Sequence, residues 1–352
     1  MLVNRKDGWK MVNIFLKSPN KRTIKQKKTL NTAKLAQLNV ETFHADLDIY
    51  IHDEPIIDII LETYEGGPEL MTNCSDDIAE IFVQKPLERA ALLRWIPPCR
   101  LQIIVPKDVA ASWYIRSISG DISVEKLIMG TLHIQSSSGD IGITGVTANK
   151  AFLKASSGDI TASNNTLQEL QFESSSGDVE FVTIQGDING KASTGDISVT
   201  NQQGERMELQ TSSGDIKLKN SVAENGQLLT SSGDIGVSHF VMGNVSISTS
   251  SGDMDIQRFS GKMKGSTNSG SIHISPEDKF ILELKAGSGD ITIASGEDVS
   301  TTFDVKTSSG EIITNYPMQV HYKRKNEFSG VIGDGKNRIN VTTGSGEVVL
   351  HA

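Results

Sequence analysis

The stretch Ser136-Ser-Ser-Gly-Asp-Ile-Gly-Ile143 returns as Ala155-Ser-Ser-Gly-Asp-Ile-Thr-Ala162 and as Thr211-Ser-Ser-Gly-Asp-Ile-Lys-Leu218. From Gly120 onward, the glycine of this turn motif recurs at intervals of 19, 19, 19, 18, 19, 19, 19, 18 and 19 residues. Degenerate copies stand at Gly270, Gly289, Gly310 and Gly346. A period this regular predicts a solenoid in which each repeat forms one rung.

Apolar residues keep fixed positions relative to the turn glycine. Ile141 and Ile143 follow Gly139 at two and four residues, and Leu132 and Ile134 precede it at seven and five. Alternation on both sides of a turn predicts strand, turn, strand. We therefore expect an all-β, single-stranded β-solenoid, similar to a parallel β-helix, with rungs of about 19 residues. Roughly a dozen rungs stacked about 4.8 Å apart would form a rod on the order of 55 Å long.

Each rung needs corners as well as strands. The turn glycine is expected to supply a positive φ at the first corner, and the residue three before it is always small, as a tight inward position requires. A looser pattern of glycine and asparagine predicts a second corner at Gly130, Asn149, Gly186, Gly204, Asn225, Gly243 and Gly261.

An acidic residue follows most turn glycines, and these pairs are the candidate site residues, interpreted as a structural turn motif. They are Gly120, Asp121, Gly139, Asp140, Gly158, Asp159, Gly177, Asp178, Gly195, Asp196, Gly214, Asp215, Gly233, Asp234, Gly252, Asp253, Gly289 and Asp290. Stacking would place the carboxylates about 5 Å apart, where neighbours repel by roughly 1 kcal/mol in water. Flanking serines such as Ser156 and Ser157, together with nearby backbone N–H groups, are expected to offset this repulsion.

A cation ladder is the alternative interpretation of this Asp column. Calcium takes six to eight oxygen ligands, and one aspartate per rung supplies too few. The calcium-binding β-roll has a nine-residue repeat with a doubled glycine, unlike the present period. Turn chemistry is therefore favoured, and we expect no metal, cofactor or catalytic residue.

Enzymes that act on polysaccharides also use parallel β-helices, so catalysis has to be considered. Their sites bring two or three carboxylates together beside aromatic platforms and long loops. The repeats have short corners, and their outward positions show no aromatic clustering in the sequence. Phosphate-binding loops, zinc-protease motifs and nucleophile elbows are also missing. The sequence therefore predicts a protein that is not an enzyme.

The two ends of the chain differ from the repeats. Residues 1–28 hold nine Lys and Arg against one acid, Asp7, while the whole chain carries −9. This leader is predicted to be disordered, with weak contact to an anionic membrane or an acidic partner as the functional alternative. Residues 29–115 are predicted to form an irregular β capping region, and residues 116–352 the repeat solenoid with degenerate C-terminal rungs.

Isolated cysteines and histidines complete the search for ligating residues. Cys74 and Cys99 have no metal-ligand spacing and are expected to pack as neutral thiols. His133, His239 and His273 are expected at outward positions of their rungs, each without a second ligand nearby.

The repeated motif also carries a resemblance. Together with the lead-in Leu101–Pro106 and the ending at residues 332–335 and 345–348, it resembles the bacterial putative-adhesin family of unknown function, over roughly residues 35–352. The resemblance implies a single β-solenoid, often encoded near cell-envelope stress systems, with no established ligand or catalytic residue.

These observations predict a non-enzymatic binding or scaffold protein associated with the bacterial cell envelope or its stress response. We expect it in the cytoplasm, peripheral at the inner membrane face, with an unidentified protein partner such as an envelope-stress component. No nucleic-acid partner is expected. The alternatives are an exported adhesin at the cell surface and, more distantly, a carbohydrate-active β-helix enzyme.

Overall fold

A computed structural model describes residues 22–31, 34–75, 77–84, 97–296 and 299–351. The chain in these ranges is all β and coils about ten times, with about 19 residues per turn, which confirms the predicted solenoid. In the same ranges no helix is long and apolar enough to cross a membrane.

The described residues form 27 strands in one continuous sheet. The N-terminal end contains β1 (Thr23–Asn31), β2 (Leu35–Thr42), β3 (Ala45–His52), β4 (Ile56–Tyr64), β5 (Glu69–Ser75), β6 (Ile78–Gln84), β7 (Cys99–Pro106) and β8 (Ala110–Ser117). The regular rungs contain β9 (Ile122–Glu125), β10 (Ile128–Ser136), β11 (Ile141–Thr144), β12 (Thr147–Ala155), β13 (Ile160–Ser174), β14 (Val179–Ala192), β15 (Ile197–Gln203), β16 (Arg206–Gln210), β17 (Ile216–Leu229), β18 (Ile235–Ser248), β19 (Met254–Thr267), β20 (Ile272–Ala286) and β21 (Ile291–Ala294). The C-terminal end contains β22 (Thr301–Thr307), β23 (Ile312–Thr314), β24 (Gln319–Arg324), β25 (Glu327–Ile332), β26 (Asn337–Thr343) and β27 (Val348–His351).

Neighbouring regular rungs pair in parallel and in register, so equivalent residues lie on top of one another. Ile141, for example, pairs with Ile122 on one side and Ile160 on the other. Because side chains alternate between the two faces of a strand, each inward residue joins a buried column that runs along the rod. Full burial of one isoleucine stabilises the fold by about 1.5–3 kcal/mol, and these columns form the core.

The second corner lies earlier in the repeat than predicted. Six residues after most turn glycines the backbone enters the left-handed region, at Lys126, Gly145, Asn164, Thr183, Asn201, Asn220, His239 and Arg258. Of the positions predicted for this corner, only Gly186 and Gly261 have a positive φ. The sequence does not mark this corner clearly, because lysine, threonine, histidine and arginine occupy it as well as glycine and asparagine.

Gly186 and Gly261 have a different role, because each lies in one of the two 18-residue repeats. Their φ angles are +134° and +129°, and the sheet register shifts beside each of them. A β-carbon at Gly186 would lie 1.7 Å from the carbonyl oxygen of Leu167. Glycine therefore lets the shorter rung close without disturbing the turn column.

The N-terminal rungs do not stack in sequence order. The rung formed by β2 and β3 lies between two rungs that come later in the sequence. It pairs in parallel with the rung of β6 and β7 on one side and with the rung of β8 and β9 on the other. Antiparallel strands then cover the end of the stack, where β4 pairs with β7, β1 with β4, and β5 with β6.

Strand β1 changes the boundary predicted for the basic leader. Residues 23–28, predicted to be part of a disordered tail, pair with β4, and Lys25 and Lys27 contact Glu62 and Asp58 at 2.6 and 3.1 Å. That part of the prediction is wrong, because alternate side chains of β1 are half-buried and the cations have partners on the adjacent strand. Residues 1–21 lie outside the described residues.

The C-terminal rungs show the same inversion of order. The rung formed by β26 and β27 pairs with the rung of β20 and β21 on one side and with the rung of β22 and β23 on the other. The hairpin of β24 and β25 then adds to β22 in antiparallel fashion. Both ends of the parallel stack are thus covered by antiparallel strands.

Candidate binding surface

The turn motifs form a single column in which each glycine touches the one before it. A β-carbon at Gly139, Gly158 or Gly214 would lie 2.0–2.2 Å from the carbonyl oxygen of the glycine one rung earlier. These turn glycines do not have the predicted positive φ. Glycine is required here because the backbones of successive turns approach too closely for any side chain.

The Asp column is held by hydrogen bonds between rungs. The backbone N–H of Asp140 donates to Oδ1 of Asp121 at 2.9 Å, that of Asp159 to Asp140 at 2.8 Å, and that of Asp178 to Asp159 at 2.8 Å. The same bond continues to Asp253, whose Oδ1 accepts from the N–H of Ser271, and it recurs between Asp290 and the N–H of Glu347. Each of these carboxylates therefore accepts a hydrogen bond from a backbone N–H of the next rung, which offsets the repulsion between carboxylates along the column.

The serines flanking the turn do not have the role predicted for them. No described turn serine donates its hydroxyl to an aspartate of the column; their backbone N–H groups extend the parallel ladder instead, as in Ser156 to Ser136. The hydroxyl that matters lies three residues before the glycine. Thr230 Oγ1 accepts from the N–H of Gly233 at 3.1 Å and donates to the carbonyl of Gly214, one rung earlier, at 3.0 Å.

The first member of the Asp column was missed in the sequence. Asp46 accepts from the N–H of Asp121 at 3.2 Å, and Thr42 closes the preceding turn as Ser117 does in the next rung. Ala45 occupies the glycine position of this copy. The signal that could have revealed it is Thr-x-x-Ala-Asp, which keeps the hydroxyl and the carboxylate.

The outer surface of the strands that precede the turn, here called the outer face, carries charges paired from rung to rung. Lys150 contacts Glu169 at 2.8 Å, and Lys154 contacts Glu173 at 2.7 Å. These lysines lower the pKa values of both glutamates, chiefly by hydrogen bonding. Lys264, Glu283 and Lys285 form a similar group further along the rod.

An aromatic strip, contrary to the sequence prediction, lies on this outer face. Tyr114, His133 and Phe152 are 19 residues apart, so the register stacks their rings, with centroids 5.8 and 4.7 Å apart. Burial and the nearby Lys154 lower the pKa of His133. His133 is therefore at an outward position, as predicted, but packed between two rings.

A hollow of about 260 Å³ begins where the aromatic strip ends. Its polar lining comprises Gln171, Glu173, Asn189, Lys191, Glu208, Gln210 and Gln227, and Phe152 borders it. Its floor includes Gly190, an inward glycine against which the ring of Phe172 packs. The period of the solenoid brings these residues together from successive rungs.

The remaining candidate ligands stay apart in the described part of the chain. Cys99 is buried, and burial raises the pKa of its thiol, whereas Cys74 is exposed on β5, so the predicted packing role is wrong for Cys74. Among the described residues no group of three or more His, Cys, Asp and Glu side chains could hold a metal ion.

The fold and the turn column together define a repeat β-solenoid whose glycine turns are joined from rung to rung. The chain belongs to the Toastrack DUF4097 family, whose model matches residues 99–218 and 186–351. The resemblance predicted from the turn motif is thereby confirmed, together with the unknown function of the family. Among curated proteins none matches this chain.

Several solved structures are similar to this chain at low identity. A putative adhesin from Parabacteroides merdae is 14% identical, with a TM-score of 0.39, over 77% of this chain and 96% of its own. A putative lipid binding protein from Parabacteroides distasonis is 12% identical, with a TM-score of 0.35, over 76% and 96%. A putative cell adhesion protein from Clostridium sporogenes is 12% identical, with a TM-score of 0.24, over 94% and 99%.

Proposed function

We propose that this chain is a non-enzymatic binding protein that uses the outer face of the rod to hold a ligand of the bacterial cell envelope. The observation that carries the proposal is the contrast between the two surfaces. The carboxylates of the Asp column accept hydrogen bonds from backbone N–H groups. The lining of the hollow on the outer face, by contrast, includes Asn189, Glu208, Gln210 and Gln227, whose side chains have no hydrogen-bond partner in the described structure.

The chemistry of the outer face supports binding rather than turnover. Hydrolysis of a glycosidic bond uses a pair of carboxyl groups, one of which needs a raised pKa to act as the general acid. Glu173, one of the two carboxylates lining the hollow, is held by Lys154, and its pKa is lowered. Glu173 therefore does not have the raised pKa that a general acid needs.

Binding to isolated cell envelopes tests this proposal. Purified protein should co-sediment with envelopes saturably, and a variant with Asn189→Trp, which fills the hollow, should bind several-fold more weakly. Gln257→Trp, on a different face, is the matched control. Equal binding of all three proteins, or release of products from envelope polymers, would contradict the proposal.

The proposal also covers where the protein is located and which partner it binds. We infer a peripheral position at the inner membrane face, with residues 1–21 as the membrane contact and an envelope-stress protein as the partner. An exported surface adhesin is the competing proposal. Fractionation of cells that carry a tagged copy separates the two.

A further inference from the structure

The hollow on the outer face coincides with a break in the pairing of polar side chains. On one side, Lys150 and Lys154 pair with Glu169 and Glu173, and further along the rod Lys264 and Lys285 pair with Glu283. Between these groups, the side chains of Asn189, Glu208, Gln210 and Gln227 make no hydrogen bond or ion pair in the described structure, yet they line one hollow.

These unpaired groups have a particular hydrogen-bonding character. Each of the three amides both donates and accepts, and the Glu208 carboxylate accepts. A ligand that satisfies them has to offer several neutral groups that also donate and accept. Hydroxyl groups on adjacent carbons fit this requirement.

The charge of the lining argues against an anionic ligand. Glu173 and Glu208 both line the hollow, and among the described residues Lys191 is the one cation there. The Lys191 ammonium already lies 3.7 Å from Glu173. Lys154 also contacts Glu173, at 2.7 Å, so the two carboxylates and two ammonium groups balance. A phosphate or sulfate group would meet no excess of positive charge, whereas an uncharged ligand needs none.

Phe152 supplies an apolar surface at one end of the hollow. His133 stacks on one side of the Phe152 ring, at 4.7 Å between centroids, and the residue paired with Phe152 on the other side is Gln171. The ring is half-buried and fixed by this stack, so an apolar ligand surface can pack against it at low entropic cost. A pyranose ring combines such a C–H surface with hydroxyl groups around its edge.

We propose that the hollow bordered by Phe152 and lined by Asn189, Glu208, Gln210 and Gln227 binds a neutral oligosaccharide segment. This inference rests on the proposed binding function and specifies its ligand class. A volume of about 260 Å³ lies just below the usual range of drug-sized pockets, so it holds about one or two sugar rings. The remainder of a longer glycan would lie along the flat outer face.

Titration of the full chain with chitotetraose, cellotetraose, maltotetraose and xylotetraose tests the proposal, with ligand-observed NMR as the readout. At least one of these neutral probes should bind saturably with a Kd near 1 mM or below. A sulfated tetrasaccharide of the same length should bind less tightly than that neutral probe. Phe152→Ala and Asn189→Trp should each weaken binding about fivefold or more, whereas Gln257→Ala on another face should not change it.

Asn189→Trp adds a side chain at an exposed position and leaves the core intact, so it tests the hollow even if Phe152→Ala fails to fold. The proposal is overturned if no neutral probe binds, if only the sulfated probe binds, or if Asn189→Trp binds as the wild type does. Absence of oligosaccharide binding alongside saturable, Asn189-sensitive envelope binding would refute the ligand class and leave the proposed function standing. Loss of both would refute both.

Discussion

Gly195 rests on Gly177 so closely that a β-carbon at Gly195 would lie 2.0 Å from the Gly177 carbonyl oxygen. The contact recurs along the turn column. It explains why glycine is needed at these positions, in place of the positive φ that the sequence suggested. Because the limit is steric contact with backbone, even the smallest side chain is excluded.

Gly195→Ala should therefore destabilise the rod by about 3 kcal/mol, in the range of severe overpacking. Gly236→Ala is the matched control, since its β-carbon would meet nothing nearer than Lys217 Cγ at 4.0 Å. Midpoints of urea unfolding measure both. If Gly195→Asn unfolds with the wild type, the conformational explanation is restored, because asparagine tolerates a positive φ.

Asp159→Ala should cost about 1 kcal/mol, because it removes the acceptor of the Asp178 N–H. Asp159→Asn keeps an Oδ1 acceptor and should cost less than about 0.5 kcal/mol. Asp255→Ala is the control, since among the described residues the Gln257 amide is the only hydrogen-bond partner of that carboxylate. Thermal unfolding compares the three variants. A loss for asparagine as large as that for alanine would show that the negative charge itself is needed.

His133 should make the rod less stable in mild acid. Burial lowers the folded pKa of His133 below its ordinary value of 6.5, so the unfolded chain takes up a proton first as the pH falls. The stability that the neutral ring contributes is present above pH 6.5 and is lost as the pH falls from there to the folded pKa, below which the loss levels off. An NMR titration of His133 gives the folded pKa directly.

The control for this prediction is His133→Phe, which keeps a ring between Tyr114 and Phe152 but cannot be protonated. Its melting temperature should fall less than that of the wild type between pH 7.5 and pH 5.5. A folded pKa at or above 6.5 would contradict the prediction.

Deletion of residues 1–21 should leave the melting temperature unchanged, whereas deletion of residues 1–28 removes most of β1 and should lower it. Residues 1–21 retain Arg5, Lys6, Lys10, Lys17 and Lys21. Each cation near an anionic bilayer contributes about 1 kcal/mol. Full-length protein should therefore pellet with anionic vesicles at low salt, and the 1–21 deletion should not.

High salt is the internal control for the vesicle experiment, because it screens attraction between exposed charges. Equal pelleting of the full-length protein and the shorter deletion would mean that residues 1–21 make no membrane contact.

The repeat period decided most of what could be predicted. Ile141 and Ile160 are buried neighbours because their offsets from Gly139 and Gly158 are equal, and the sequence shows those offsets directly. The aromatic strip was also within reach, since Tyr114, His133 and Phe152 share the same spacing. Reading the outward positions by rung, rather than along the chain, would have revealed it.

Other features depend on contacts that the period does not encode. The closeness of Gly177 to Gly195 is a distance between rungs, so the sequence could not separate a steric reason for glycine from a conformational one. The hollow beside Asn189 depends on which outward side chains find partners across rungs. The order of the end rungs is decided by strand pairing alone.

The inverted order of the end rungs bears on how the protein is made. A ribosome synthesises β22 and β23 before β26 and β27. In the finished rod, however, the rung of β26 and β27 lies between the rung of β20 and β21 and the rung of β22 and β23. The place for residues 337–351 has to stay open until those residues have been synthesised. Growth of the rod one rung at a time from the N-terminus therefore cannot complete this end of it, and the step that closes the stack follows translation of residues 337–351.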